Sequence, residues 1–111
     1  MTASSSSRVQ PFHADVVVGH EEAVVAVAGE LDLQSADVLE REVIGLHAAG
    51  HDRVVVDLSR IEFIDSTGLR MLLGLHRSAE LAGRRLSLVR GPRPVHRIFE
   101  LTATAPLFHW R

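Results

Sequence analysis

The segment RVVVDLSRIEFIDSTGLRMLL, residues 53–73, contains the junction that decides how this chain folds. Its first part, RVVVDL, is apolar at consecutive positions, as is typical of a strand covered on both faces. The tetrapeptide DSTG, residues 65–68, interrupts the segment, and apolar residues then recur at the spacing of one helix face: Leu69, Leu72, Leu73, His76 and Ala79. The segment therefore predicts a buried strand and a helix with a polar junction between them.

The rest of the chain shows the same two periodicities. The runs ADVVVG and AVVAVAG predict a hairpin or a close antiparallel pair of strands. The following segment predicts a helix that stops at Gly50, and Gly83 stops the helix after DSTG. RRLSLV predicts a fourth strand, and Pro94 opens a short helix through Leu101. The tail TATAPLFHWR is compatible with a last edge strand.

The predicted order β-β-α-β-α-β-α is typical of an α/β sandwich, with helices packed on a mixed sheet of four to five strands. RVVVDL and RRLSLV, joined through a helix, are expected to be parallel. Sites in open α/β sheets lie beyond the carboxyl ends of such strands, where the DSTG junction falls. We expect one domain over residues 12–111, preceded by a flexible tail over residues 1–11.

Composition excludes several classes of function. The 111 residues carry a formal charge of −2, which gives no reason to expect nucleic acid as a partner. All 12 basic residues are arginine and cysteine is absent, so Schiff-base, thiolate and cysteine-metal chemistry are excluded. The segment MTASSSSRVQ lacks the apolar core of a secretory signal, and no apolar run is long enough to insert into a membrane. A cytoplasmic location is the expectation.

Seven histidines raise the question of a metal site. His47 and His51 are four residues apart, but Gly50 is expected to end the helix between them. His76 lies on a mostly apolar stripe, which favours a core or boundary histidine. We therefore expect no metal and no cofactor.

The DSTG junction allows two interpretations. In the first it is a helix start, with Ser66 or Thr67 as the cap and Asp65 at the positive end of the helix dipole. In the second it is a switch, because a phosphate on an exposed serine would add about −1.5 to −2 charge at a surface where a partner docks. Gly68 would let another molecule approach closely.

Three blocks of the sequence carry a family resemblance. DSTGL after VVVDLSRIEFI, together with VAGELDLQSA upstream and GRRLSLVRGPRPVHRIFELT downstream, resembles the STAS domain of bacterial anti-sigma factor antagonists over residues 12–107. The resemblance implies a protein without catalysis. Its unmodified form binds an anti-sigma factor, a serine kinase with a GHKL-type ATP fold, and so frees the sigma factor. Phosphorylation by that kinase weakens binding, and a PP2C-like phosphatase reverses the mark.

Matched to this chain, the resemblance makes Ser66 the phosphoacceptor, with Asp65, Thr67 and Gly68 shaping its loop. Asp32, in the block GELD, belongs to the neighbouring loop. Thr67 is a possible second phosphosite. Many members of the family have a further amphipathic helix after the LT segment, which the tail TATAPLFHWR does not resemble.

Some alternatives stay open. Met71 and Leu75 either widen the buried face of the helix or, if exposed, contact the partner. The chain could instead be a STAS subunit of a transporter, such as a lipid-exporting ABC system, or part of a stress-signalling assembly. An enzyme built on Ser66 is a third hypothesis, and it requires a base within hydrogen-bond reach of that hydroxyl.

Overall fold

A computed structural model describes residues 11–111 and gives the α/β architecture that the sequence predicted. Five strands form one sheet: β1 (His13–Val18), β2 (Ala23–Leu31), β3 (Arg53–Ile64), β4 (Arg85–Val89) and β5 (His109–Trp110). Three helices and a 3₁₀ turn complete the fold: α1 (Leu33–Ala48), α2 (Ser66–Leu81), α3 (Arg93–Leu101) and the turn Ala105–Leu107. Apart from Pro11, the expected N-terminal tail lies outside the described residues.

The sheet is mixed, with strand order β1-β2-β3-β4-β5. β1 and β2 form the predicted antiparallel hairpin. β3 pairs in parallel with both β2 and β4, so the predicted parallel arrangement of the third and fourth strands is confirmed. β5 adds a short parallel edge strand beside β4, which confirms an edge strand in the tail.

Glycines end the two long helices where the sequence predicted. Gly50 follows the cap of α1 with φ of +97°, and Gly83 follows the cap of α2 with φ of +72°. Left-handed backbone of this kind strains a side chain with a Cβ but not glycine, so the chain turns out of each helix at these positions.

The central strand β3 is buried on both faces, as its apolar run predicted. Val54, Val55 and Val56 are each at most 3% exposed. Helices α1 and α2 pack against each other and the sheet, and α3 packs against β3. The strand continues six residues beyond RVVVDL to Ile64, so it leads directly into the DSTG junction.

The C-terminal tail closes one side of the core. Phe108 is 6% exposed, and its ring meets that of Phe99 edge to face at 5.5 Å. Trp110 packs against Phe99 at 5.1 Å and donates its indole N–H to the Ala105 carbonyl oxygen at 2.7 Å. Within residues 11–111, no helix is long and apolar enough to cross a bilayer.

Candidate functional site

Two loops meet at the carboxyl edge of the sheet. Leu31 and Ile64 are register partners at the ends of the parallel strands β2 and β3. The next residue in each loop is an aspartate, Asp32 or Asp65, and each aspartate caps the helix that follows it. The structure therefore brings together the two loops that the family resemblance implied to be neighbours.

Asp65 is the cap of α2, so the expectation that Ser66 or Thr67 caps this helix is wrong. Asp65 has extended backbone (φ −106°, ψ −176°), and its Oδ1 accepts a hydrogen bond from the Gly68 N–H at 2.9 Å. A cap needs both features, because its side chain must reach back to an N–H that the first turn leaves free. Ser66 is instead the first helical residue.

This arrangement leaves the Ser66 hydroxyl free. Ser66 is exposed, and its hydroxyl makes no hydrogen bond to any residue in the described range 11–111. Thr67, the possible second phosphosite, is half-buried. The N–H groups of Ser66 and Thr67 belong to the first turn, whose donors have no acceptor inside the helix. A free hydroxyl therefore stands beside backbone donors at the positive end of the α2 dipole.

Asp32 organises the neighbouring loop through a reciprocal cap. Its Oδ1 accepts hydrogen bonds from the N–H groups of Gln34, at 3.1 Å, and Ser35, at 3.2 Å. The Ser35 hydroxyl oxygen accepts the Asp32 N–H at 2.9 Å and donates its proton to the Glu30 carbonyl oxygen at 2.6 Å. This fixes the end of β2 to the start of α1. This cap was not predicted from the sequence, although an aspartate directly before a helical stripe is a common helix start.

Gly68 is needed for contact within the protein, not for the approach of another molecule. A Cβ at this position would lie 2.6 Å from the Leu31 carbonyl oxygen and 3.2 Å from Cγ1 of Ile64. Gly68 is buried, so no partner reaches it directly. The missing side chain lets α2 start in contact with the end of β2.

The structure separates the two apolar residues that were expected either to be buried or to contact a partner. Leu75 is 5% exposed and belongs to the core, so it cannot offer a docking contact on the folded surface. Met71 is half-buried and packs against the edge of the core. Met71, unlike Leu75, therefore retains solvent-exposed area near the start of α2.

Sequence reasoning missed two apolar side chains beside the loops. Leu33, directly after Asp32, is 71% exposed, and Phe63, two residues before Asp65, is 48% exposed. Phe63 pairs in register with Glu30, which places it beside the Asp32 loop. Exposed apolar residues next to a polar loop are typical of docking surfaces. No signal in the sequence marked Phe63, because Leu58 and Ile61 also follow charged residues in β3 and are buried.

A hydrolase built on Ser66 needs a base bonded to its hydroxyl. Among residues 11–111, the hydrogen bonds of histidine side chains go to other groups: His13 to Asp15, His47 to the Arg85 carbonyl oxygen, and His109 to Glu80. The carboxylate nearest in sequence, Asp65, is engaged with the Gly68 N–H. The geometry at Ser66 is that of an accessible hydroxyl without an activating partner in the described residues.

Comparison with known proteins identifies relatives of this arrangement. A family described as "Mlab, STAS domain" matches residues 15–106. An anti-sigma-B factor antagonist of Staphylococcus epidermidis is 28% identical over 85 residues, which cover 77% of this chain and 79% of the relative.

Solved structures show the same fold. An anti-sigma factor antagonist from Mycobacterium paratuberculosis superposes with a TM-score of 0.80 at 27% identity, over 92% of this chain and 88% of that one. The Bacillus cell fate determinant SpoIIAA, in its phosphorylated form, superposes with a TM-score of 0.66 at 22% identity, over 90% of each chain. At that identity, the second likeness shows the fold alone.

Proposed function

This chain belongs to the STAS domain family, and we propose that it acts as an anti-sigma factor antagonist controlled by phosphorylation of Ser66. In its unmodified form it binds an anti-sigma factor and so releases the sigma factor. Phosphorylation of Ser66 ends that binding. The protein is then a regulatory binding module and a kinase substrate, and it performs no catalysis of its own.

The observation that carries this proposal is the free hydroxyl of Ser66 at the first position of α2. Asp65 takes over the capping role, so the serine has no structural hydrogen bond to lose when it is modified. A kinase needs a hydroxyl that it can reach, and Ser66 is exposed. Ser66 therefore fits the role of phosphoacceptor better than the role of helix cap.

Phosphate at Ser66 is expected to change the surface and leave the fold intact. The helix N-terminus stabilises an anion, since its N–H groups and dipole point toward it. The carboxylates of Asp65 and Asp32 lie in the two adjoining loops, so a further charge of about −1.5 to −2 makes this edge strongly negative. A partner surface that fits the unmodified edge would then meet a dianion that it has to desolvate.

The docking surface in this proposal is the edge formed by the two loops. It comprises the polar residues Asp32, Asp65, Ser66 and Thr67, with apolar contacts from Leu33, Phe63 and Met71. Gly68 lies beneath this surface, where α2 approaches the end of β2. The partners are an anti-sigma factor with a GHKL-type serine kinase domain and a PP2C-like phosphatase, all in the cytoplasm. Thr67 is half-buried and is a poorer kinase substrate than Ser66.

The proposal is tested by affinity capture from the native cytosol, with wild type, Ser66→Ala, Ser66→Asp and Ser78→Asp as baits. Ser78 is exposed on α2, three turns from the site, so its variant controls for added charge alone. We expect an ATP-binding kinase with wild type, Ser66→Ala and Ser78→Asp, and its loss with Ser66→Asp. Recovery of the same permease or ABC subunits by all four baits would overturn the proposal in favour of the transporter role.

A further inference from the structure

A second cluster of polar side chains lies far from the DSTG junction, where α2 meets the C-terminal strand. His76 and Glu80 project from α2, and His109 begins β5. One potential ligand atom from each of the three lies within 4.8 Å of the other two, and His109 Nε2 is 3.0 Å from Glu80 Oε2. We propose that these three side chains bind a divalent transition-metal ion, for which Zn²⁺ is the best match.

The ligand set fits zinc in kind and number. Two imidazoles and one carboxylate are a common three-residue zinc set, in which the fourth position is left to water or another small ligand. His76 and Glu80 are four residues apart on one helix, so their side chains lie on the same face. His109 approaches that face from the sheet edge. The three ligands would therefore join two neighbouring side chains of α2 to a side chain of β5.

The spacing of the rings also fits. With Zn–N bonds of about 2.0–2.1 Å and tetrahedral angles, two imidazoles on one ion have ring centroids about 5 Å apart. The centroids of His76 and His109 are 5.3 Å apart, with the ring planes inclined by 58°. The edge of a zinc tetrahedron is about 3.3 Å, so ligand atoms that lie within 4.8 Å of one another have to move closer together when an ion binds.

The surroundings hold the histidines while leaving the site open. His76 packs edge to face against Phe108 at 5.6 Å, and Phe108 is buried. Nδ1 of His76 is buried and forms no hydrogen bond to any described residue, so one edge of the ring carries a polar atom without a protein partner. The side chains of His109 and Glu80 are 35% and 49% exposed. An ion can therefore enter from solvent, and a fourth ligand can reach it.

The charges around the cluster both help and oppose cation binding. The hydrogen bond from His109 lowers the pKa of Glu80, which favours the charged form of this carboxylate. Arg70 and Arg77 line a groove of about 470 Å³ that His76 also borders, and Arg85 acts on Glu80 at longer range. These arginines weaken cation affinity and favour an anionic fourth ligand.

A metal at this position would clamp α2 to β5. His76 is ten residues from Ser66, which places the site about 15 Å along the helix from the proposed phosphosite. The two sites therefore share a helix but no side chain. The metal proposal stands independently of the proposed function, and each can fail without the other.

The test is a titration of the full, untagged chain with Co²⁺ and then Zn²⁺. We expect one equivalent of Co²⁺ to give the visible absorption of a tetrahedral site and one equivalent of Zn²⁺ to displace it. Zn²⁺ should also raise the unfolding temperature, because a ligand of the folded state stabilises it by mass action. In Glu80→Gln and His109→Asn, we expect affinity to fall by about tenfold or more. His20→Asn, at an exposed histidine outside the cluster, should bind as wild type does.

Two results would overturn the proposal. One is the absence of saturable binding by wild type, with Glu80 and His109 then forming an ion pair alone. The other is binding that His20→Asn weakens as much as Glu80→Gln and His109→Asn do. Because the substituted side chains are partly exposed, the metal-free variants should unfold at temperatures close to wild type. That comparison separates the loss of a ligand from the loss of the fold.

Discussion

The Asp65 N–H donates a hydrogen bond to the Leu31 carbonyl oxygen at 3.2 Å. This bond joins the loop after β3 to the end of β2, beyond the last register pair of the two strands. It holds the start of α2 against the end of β2, so the position of Ser66 depends on the sheet as well as on the Asp65 cap. Substitutions that disturb this contact should therefore affect both stability and partner binding.

Gly68→Ala provides the sharpest test of that contact. The added Cβ would lie 2.6 Å from the Leu31 carbonyl oxygen, so the start of α2 or the end of β2 must shift. We expect a loss of about 1–3 kcal/mol in the free energy of unfolding, measured by urea denaturation. Gly74→Ala is the matched control, because Gly74 lies in the same helix with nothing within 4 Å of its Cβ position.

Gly74→Ala should keep or increase stability, by up to about 1 kcal/mol, since alanine is the better helix former. Equal effects of the two substitutions would show that the close approach at Gly68 is unimportant. The pair needs no knowledge of the partner, so it tests the geometry of the site directly.

Asp65→Ala should remove the cap of α2. The Gly68 N–H would lose its acceptor, and we expect the free energy of unfolding to fall by about 1 kcal/mol. Asp65→Asn should restore most of this stability, because its amide oxygen can accept the same bond without the charge. Chemical denaturation of both variants checks this assignment. If Asp65→Ala is as stable as wild type, the cap lies elsewhere.

Stability should depend on pH through two buried histidines. Burial lowers the pKa of His96 and that of His47 below the ordinary value of 6.5. For His96, Arg90 and Arg93 act in the same direction, and Glu100 opposes them. The unfolded chain therefore binds protons that the folded chain excludes as the pH falls below 6.5. We expect the free energy of unfolding to have its full value above that pH and to decline below it. Urea denaturation at several pH values measures this.

His96→Phe isolates one of these two contributions. His96 stacks on Phe99 at 5.8 Å and meets Trp110 at 4.8 Å, and its Nδ1 is buried without a partner in residues 11–111. A phenylalanine can keep the aromatic contacts and has no proton to gain. We expect the free energy of unfolding of this variant to fall less steeply with decreasing pH than that of wild type. An unchanged slope would mean that His96 is protonated as easily in the folded chain as in the unfolded one.

Local patterns were sufficient for most of the fold. The consecutive valines of β3, the helical stripes, and Gly50 and Gly83 each depend on neighbours within a few residues, and each was placed correctly. β5 was harder, because His109 and Trp110 pair with Ser87 and Leu88, about twenty residues earlier. A two-residue strand has no periodicity of its own, and the packing of Trp110 on Phe99 decides it.

The place of the site in the fold could be predicted, but the contacts of its side chains could not. The strand order placed the Asp65 loop at the carboxyl edge of the sheet, and the family resemblance placed the Asp32 loop beside it, as the structure has them. The sequence did not distinguish Asp65 from Ser66 as the cap, since both residue types suit that role. It also could not show that His109 lies 3.0 Å from Glu80, because 29 residues separate them and the helix pattern ends between them.

The central claim is that phosphate on Ser66 controls partner binding. The most direct measurement is the dissociation constant of the captured anti-sigma factor for this protein, before and after phosphorylation by that partner with ATP, with Ser66→Ala treated in the same way. We expect wild type to bind at least about tenfold more weakly after treatment, because of the charge introduced at the interface, and the affinity of Ser66→Ala to stay unchanged. Equal affinity for wild type before and after a phosphate has been located on Ser66 would contradict it.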